Sequence, residues 1–498
     1  MRVALRGSDD DPLLPPFRPW RFMLDVDEVN YDEAELVAYT RRGLGEDVVN
    51  LSSGINHVEP PEKLIRFALD AAADPLFWHD YDGPSGHLIG RAAIAAYERS
   101  RGDGRVAIDV RNVIVTAGAS AALSLAAAGL RASASAPVQG SGPGALVPVP
   151  TFPLAGAALA RCGFDITEVE SLVSGRWLPT VDELIAAADD DTRVCYLNTF
   201  NNPSGEFYGE AELRRLVAWA RDRKVMLLHD LVSSDVSASD AIPHLLSIAD
   251  EESYGEGLVT IGSMSKARAV PGFRVGWLIA DDALVTRLSR ANELQAPSSP
   301  AFAAPMLLLD RLLSAATDGA GDRVRDGAAA SGAPHHARAD LSAALRRRWS
   351  DLHELLASYV AVMPDLARFL DTAGAELTDP VTADGLAAWR MGIRRTLAEN
   401  AAVLSTEFPD LVADVPAWRG DFNTFVRIPG LAGLDHLATA HELFRRHGLQ
   451  TLPAPAFGKD EAWWRRRGYH SRLSFAMPTP LWRSALGRLR RAVADLAP

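Results

Sequence analysis

Lys266 stands in the stretch SMSKARAVPGFRVGW, residues 263–277, and is one of only four lysines in a chain whose other fixed cations are arginines. Arginine would serve as well on most solvated surfaces. A lysine between small residues at the end of an apolar run therefore points to amine chemistry. An arginine cannot form a Schiff base, whereas a lysine whose pKa is lowered by desolvation or by a neighbouring cation attacks a carbonyl carbon as the free amine. Three further segments deliver polar groups behind apolar runs. Gly118, Ala119 and Ser120 in TAGASAAL open a helix, where free backbone N–H groups and the helix dipole suit an anion such as a phosphate. Asn202 lies in NTFNNPSG, a turn tightened by Pro203 and Gly205. Asp230 closes VMLLHD behind four apolar residues, where burying a carboxylate without a partner is costly. Ser263, Ser265 and Arg274 accompany the lysine. Taken singly, each has an ordinary structural reading: a solvated lysine, a helix start, a turn, a helix cap.

The elements that must position these groups read as an alternation. NVIVTAG, GALVPVP, RVCYLN, VMLLHD and GLVTIGS are short apolar strands, and ASAALSLAAAGL, LAGAALARCG and EAELRRLVAWARDRK are helices between them. Continuous apolar strands separated by amphipathic helices predict a buried, mostly parallel sheet with helices on both faces, whose ligands sit beyond the carboxyl ends of the strands. Residues 1–60 read as a polar N-terminal arm and a small-domain segment, and 61–315 as the large cofactor-binding domain. Residues 316–384 read as an insertion, partly disordered and partly helical, within which His335 and His336 are expected to be solvated. Residues 385–498 read as a smaller α+β domain, with a long helix in GLAAWRMGIRRTLAENAAVLSTEF and strands in DFNTFVRIP, GLQTLP and SRLSFAMP. A low-complexity loop is expected at RASASAPVQGSGPG, residues 131–144.

Composition bounds the function. With 48% apolar and 23% charged residues the chain is globular, and its length asks for more than one core. Two cysteines, Cys162 and Cys195, exclude a disulfide framework and a paired-cysteine zinc site, and no metal is expected. A formal charge of -13 disfavours nucleic acid, with the RRR run at 465–467 read as a solvated helix face. No apolar stretch reaches the roughly 20 residues of a membrane span, and MRVALRGSDDDPLL meets acids where a signal peptide needs an apolar core. The expected location is the cytoplasm, without membrane partners.

An amine for an aldehyde, a carboxylate for a ring nitrogen, an amide for a ring hydroxyl and an anion pocket together suit pyridoxal 5'-phosphate. In the order and spacing of S-x-S-K, GFRVG and NNPSG the chain resembles the class I/II aminotransferases, fold type I pyridoxal-phosphate enzymes, over roughly residues 50–315 and 385–495. The resemblance implies a mostly parallel seven-stranded sheet and a small α+β C-terminal domain. By the same resemblance Lys266 is the Schiff-base lysine and proton shuttle, Asp230 the partner of the pyridine nitrogen, and Asn202 the partner of the ring hydroxyl. Phe152 in VPTFPLAG is the stacking aromatic, and Ala119, Ser120, Ser263 and Arg274 hold the phosphate. Tyr81 in HDYDGPSGHLIG reaches the phosphate of a second subunit, which implies a homodimer with composite sites. Arg472 in SRLSFAMP clamps the carboxylate of a small-molecule amino-acid substrate, and Gly54 lines the substrate side.

One departure leaves the reaction open. Ser233 in DLVSSDV stands where the family commonly has a tyrosine that donates to the ring oxygen, and Asp230, Ser233 and Asp235 resemble the D-x-x-H-x-D turn of carbon–sulfur β-lyases with serine for histidine. Transamination through an external aldimine is the leading expectation. Elimination from a cysteine conjugate, or decarboxylation with oxidative deamination, in natural-product assembly of the lincosamide kind is the alternative. A cofactor-binding regulator without turnover is a third.

Overall fold

In the computed structural model the described residues are 14–41, 48–54, 56–102, 104–134, 142–171, 175–235, 242–294, 296, 298–318 and 334–497. The low-complexity stretch 135–141 and the centre of the insertion, 319–333, lie outside them, as do the side chains of His335 and His336.

A seven-stranded sheet organises the large domain. In spatial order its strands are Val113–Ala117, Val275–Ile279, Leu258–Ser263, Met226–Asp230, Thr192–Asn198, Gly144–Val149 and Asp165–Glu170. All pairs are parallel except the two made by Val275–Ile279. The inner strands are buried along nearly their whole length, as their unbroken apolar runs require of a sheet covered on both faces. One face packs on the helices Ala119–Ser133 and Leu154–Arg161 through Leu123, Leu130 and Leu159. Leu213, Leu216 and Val217 of the helix Glu210–Arg223 pack against Leu146, Cys195 and Leu227. The helix Leu88–Arg101 lies against Ala303–Asp318, which is buried over most of its length.

The C-terminal part carries an antiparallel sheet of Leu452–Pro453, His470–Ser474 and Asn423–Arg427. It is covered by the helices His436–His447 and Thr479–Leu496 and the second half of Pro380–Glu407. Val49–Asn50 pairs in parallel with Leu449–Gln450, so the chain before the large domain belongs physically to this layer.

Two boundaries differ from the sequence reading. The expected division between residues 384 and 385 falls inside the 28-residue helix Pro380–Glu407. Its first half, with Ala383 and Leu386, joins the large core, and its second half, with Ile393, Leu397 and Leu404, joins the small one. Apolar positions continue along it without a break, so composition marks no boundary there. The helices Pro334–Val360 and Pro364–Leu377 bury Leu345, Leu352, Leu366, Phe369 and Leu370 in that same large core. The arm, in turn, contains the helices Arg18–Asn30 and Glu33–Arg41. Pro19, Met23, Val26 and Asn30 recur at helical spacing and are buried, but the acids between them mask the pattern.

A buried ion cluster joins these layers. Asp235 binds Arg311 at 2.7 Å, Arg268 at 3.1 Å and Arg390 at 3.3 Å; Asp310 also pairs with Arg268 and Arg311, and Asp318 with Arg390 at 2.6 Å. Arg268 follows Lys266 by two residues and Asp235 follows Asp230 by five. The cluster therefore ties both strand ends of the candidate site to the helices Ala303–Asp318 and Pro380–Glu407.

Candidate active site

Sheet register assembles the first half of the site. Ala117 pairs with Val275 and Ser263 with Gly276, which sets the start of the helix Ala119–Ser133 beside Ser263 and Arg274. No side chain caps that helix, and Gly118 has φ +85°. A Cβ on Gly118 would stand 2.5 Å from Nη2 of Arg274, so glycine lets the guanidinium lie against the helix start. Arg274 donates to the carbonyls of Pro271 at 3.1 Å and Ala117 at 3.3 Å and is exposed, as is Ser120; Ala119 is half-buried. The Ser263 hydroxyl is 2.9 Å from both the Val275 carbonyl and Oγ of Ser265, and it accepts from the Ser265 amide at 3.1 Å. Free helix amides, two serines and an arginine make an open anion pocket.

Lys266 is half-buried in the one-turn helix that follows, Met264–Ala267. Burial lowers its pKa to about 8, helped by the charges of Arg472 and Arg274. Its carbonyl accepts from Asn56, which fixes the backbone against the arm.

Asp230 ends its strand with Oδ1 accepting from the Val232 amide at 2.9 Å and Oδ2 from the Tyr196 phenol at 3.1 Å. No described lysine, arginine or histidine pairs with it. Burial consequently raises its pKa to about 6, against the lowering by those two hydrogen bonds. Asn198 pairs in register with Asp230, and its Oδ1 accepts from the Asn202 amide at 2.6 Å, which carries the NNPSG turn to the same end of the sheet. Tyr196 was not foreseen as a site residue. Its place two residues before Asn198, on the same face of the strand, is the available signal.

Arg472 closes the site from the small domain. It is 1% exposed and without an ion-pair partner among the described residues, and its Nη1 donates to Oδ1 of Asn202 at 2.8 Å. Burial pulls its pKa down to about 10, so it stays a cation at neutral pH. Its guanidinium carbon lies 5.2 Å from the Phe457 ring centre and 5.9 Å from that of Phe152, which is half-buried. Gly54, at φ +53°, presses on it so closely that a Cβ would sit 3.3 Å from Nη1.

Lys266, Asp230, Asn202, Phe152, Arg472, Gly54 and the phosphate-type pocket thus converge on one end of the sheet. Tyr81 does not join them within the chain; it is 84% exposed. Ser233 is buried in the turn after Asp230, and Asp235, the other half of the lyase-like pattern, is consumed by the ion cluster. The RRR run is solvent-facing, with Arg467 stacked 3.4 Å above the Trp463 ring. No metal-ligating group of histidines, cysteines and carboxylates is found among the described residues.

The description "Aminotransferase class I and II" matches residues 46–316, more than half of the chain. The chain belongs to that family. Its cofactor is accordingly pyridoxal 5'-phosphate, and the enzyme class is the transaminases. This aminotransferase is 28% identical over 309 residues to 4-dedimethylamino-4-oxo-anhydrotetracycline transaminase OxyQ of Streptomyces rimosus, covering 58% of this chain and 79% of that one. It is 29% identical over 219 residues to the probable aminotransferase TAT3 of Arabidopsis thaliana, covering 43% of this chain and 46% of the relative. The chain thus spans only about half the length of some curated relatives it matches. An aminotransferase structure from Mycobacterium tuberculosis superposes with TM-score 0.66 at 20% identity, covering 99% of this chain and all of that one. That likeness concerns the fold, fold type I.

The residues present fit the cofactor. A half-buried carboxylate without a cation among the described residues suits the pyridine nitrogen, and the glycine cradle at Gly118 beside Arg274 suits the phosphate. The depressed Lys266 amine suits the aldehyde.

Proposed function

We propose that the protein is a homodimeric transaminase that exchanges the amino group of an α-amino acid with a 2-oxo acid. The observation that carries the reading is the pairing of an amine near neutrality, Lys266, with an unpaired buried guanidinium, Arg472, across one cleft. When bound, pyridoxal phosphate supplies an electrophilic aldehyde and an electron-withdrawing ring. Lys266 accepts the proton of the substrate α-carbon and returns one, because a pKa of about 8 keeps both of its forms populated near physiological pH. Arg472 orients the substrate by its carboxylate through a two-pronged hydrogen bond. Asp230 keeps a negative charge against the ring nitrogen, Asn202 meets the ring hydroxyl and Phe152 covers the ring face. Ala119, Ser120, Ser263 and Arg274 hold the phosphate, and Tyr81 serves that pocket in a second copy of the chain.

The likeness to a transaminase named for an anhydrotetracycline ketone supports a biosynthetic substrate. No helix among the described residues is long and apolar enough to cross a membrane. Placing Asp235 in a buried ion cluster removes one of the two grounds for a lyase reading; Ser233 remains the other.

The test is to incubate the cofactor-loaded protein with amino acids in turn and assay for products. Equal amounts of 2-oxo acid and pyridoxamine phosphate are expected, with the latter consumed on adding a 2-oxo acid. Release of ammonia and thiol, or of carbon dioxide, without pyridoxamine phosphate would overturn transamination. Light scattering should give twice the chain mass, and a fully active monomer would remove the composite site.

A further inference from the structure

The helix Arg18–Asn30 packs against segments that surround Arg472 and carries a carboxylate, Asp27. Asp27 lies on the inward face, one turn after Met23 and one turn before Asn30 and Tyr31. Each of those neighbours is docked on a wall of the Arg472 site. Met23 packs in one cluster with Phe425 and Phe457, the ring beneath the guanidinium. Asn30 donates to the Thr451 carbonyl at 3.1 Å, and Gln450 donates to the Asn30 carbonyl. The Tyr31 hydroxyl accepts from Asn50 at 3.4 Å and lies 3.5 Å from Ser52, two residues before the Gly54 that presses on Arg472. Asp27 is therefore held among groups that enclose Arg472, yet the two do not meet in an ion pair. Asp27 is half-buried and takes no side-chain hydrogen bond among the described residues.

We propose that Asp27 determines side-chain specificity by receiving the distal cation, ammonium or guanidinium, of a basic α-amino acid whose carboxylate is held by Arg472. Opposite charges that act on one another without forming an ion pair suit a ligand that carries the complementary pair at its two ends. A half-buried carboxylate facing a neutral side chain would lose water and gain nothing. Burial raises its pKa to about 6 against the opposing charge of Arg472, and no described cation forms an ion pair with it. The inference rests on the transaminase reading for the place of the α-carboxylate.

Binding and turnover separate the two. Calorimetric titration of the protein loaded with pyridoxamine phosphate, which leaves no aldehyde to capture an amine, uses 5-aminopentanoate and hexanoate, which differ only in ammonium against methyl. The wild type should bind the amine at least about tenfold more tightly, the size of one charge-assisted hydrogen bond. Asp27→Asn should abolish that preference and Asp27→Glu should retain it. In turnover, the ratio of kcat/KM for ornithine to that for norleucine should fall by the same factor in Asp27→Asn. Equal binding of both acids by the wild type, or a preference retained in Asp27→Asn, would overturn the inference. An equal fall for both amino acids would do so too, because it marks a merely structural role. A preference in binding with no amino transfer to any oxo acid would instead sink the transaminase reading and leave Asp27 its role.

Discussion

The charge of Arg472 acts on Lys266, and that influence has measurable consequences. Burial, with two guanidinium charges, holds the Lys266 ammonium near pKa 8, against an ordinary value above 10. Only the free amine attacks an aldehyde, so the rate of cofactor uptake by the cofactor-free protein should rise with pH and level off above about 8. Removing one nearby positive charge makes the ammonium easier to keep, which raises its pKa. The midpoint in Arg472→Gln should accordingly move to higher pH; an unmoved midpoint would mean that the charge of Arg472 takes no part in setting it. The same variant should lose substrate affinity, with kcat/KM falling by about 2 kcal/mol, or roughly 30-fold, for the loss of a two-pronged carboxylate contact. Steady-state kinetics with a small neutral amino acid reads this directly.

At the scale of elements, the site depends on segments that make no contact with it. Asp235 pairs with three buried arginines, which hold its carboxyl well below the usual carboxylate range. A depressed carboxylate contributes stability that is present above its unfolded pKa near 4 and is lost only as strong acid protonates the folded group. Asp235→Asn should therefore destabilise by about 3–5 kcal/mol at neutral pH, since it leaves three buried guanidiniums to two carboxylates. A thermal melt checks this, and a midpoint within one degree of the wild type would contradict it. This cluster also marks a limit of sequence reading. Asp235 was legible as part of a turn pattern after Asp230, but its partners come from residues 268, 311 and 390, and no local spacing announces a pairing across 155 positions. Strand ends were easier to read. Lys266, Asp230 and Asn202 each stand at or a few residues beyond the end of a mostly apolar strand, and a parallel sheet carries such ends to one side. The helix that carries Asp27 was concealed because acids occupy the positions between Met23, Val26 and Asn30, and an inward-facing acid looks solvated until its surroundings are known.

At the scale of the whole molecule, two cores meet along Pro380–Glu407, and the site lies where Arg472 of one meets Asn202 of the other. The four lysines make the central assignment unusually easy to test. Lys63 and Lys224 are exposed, and Lys459 donates to the Glu168 carbonyl at 3.4 Å; Lys266 is the one whose pKa is lowered to about 8. Borohydride reduction of the cofactor-loaded protein, followed by mass mapping of its peptides, reports which amine holds the aldehyde. The account predicts a single modified peptide containing Lys266, absent in Lys266→Ala. Modification at Lys63, Lys224 or Lys459 with Lys266 untouched, or a fully active Lys266→Ala protein, would contradict it.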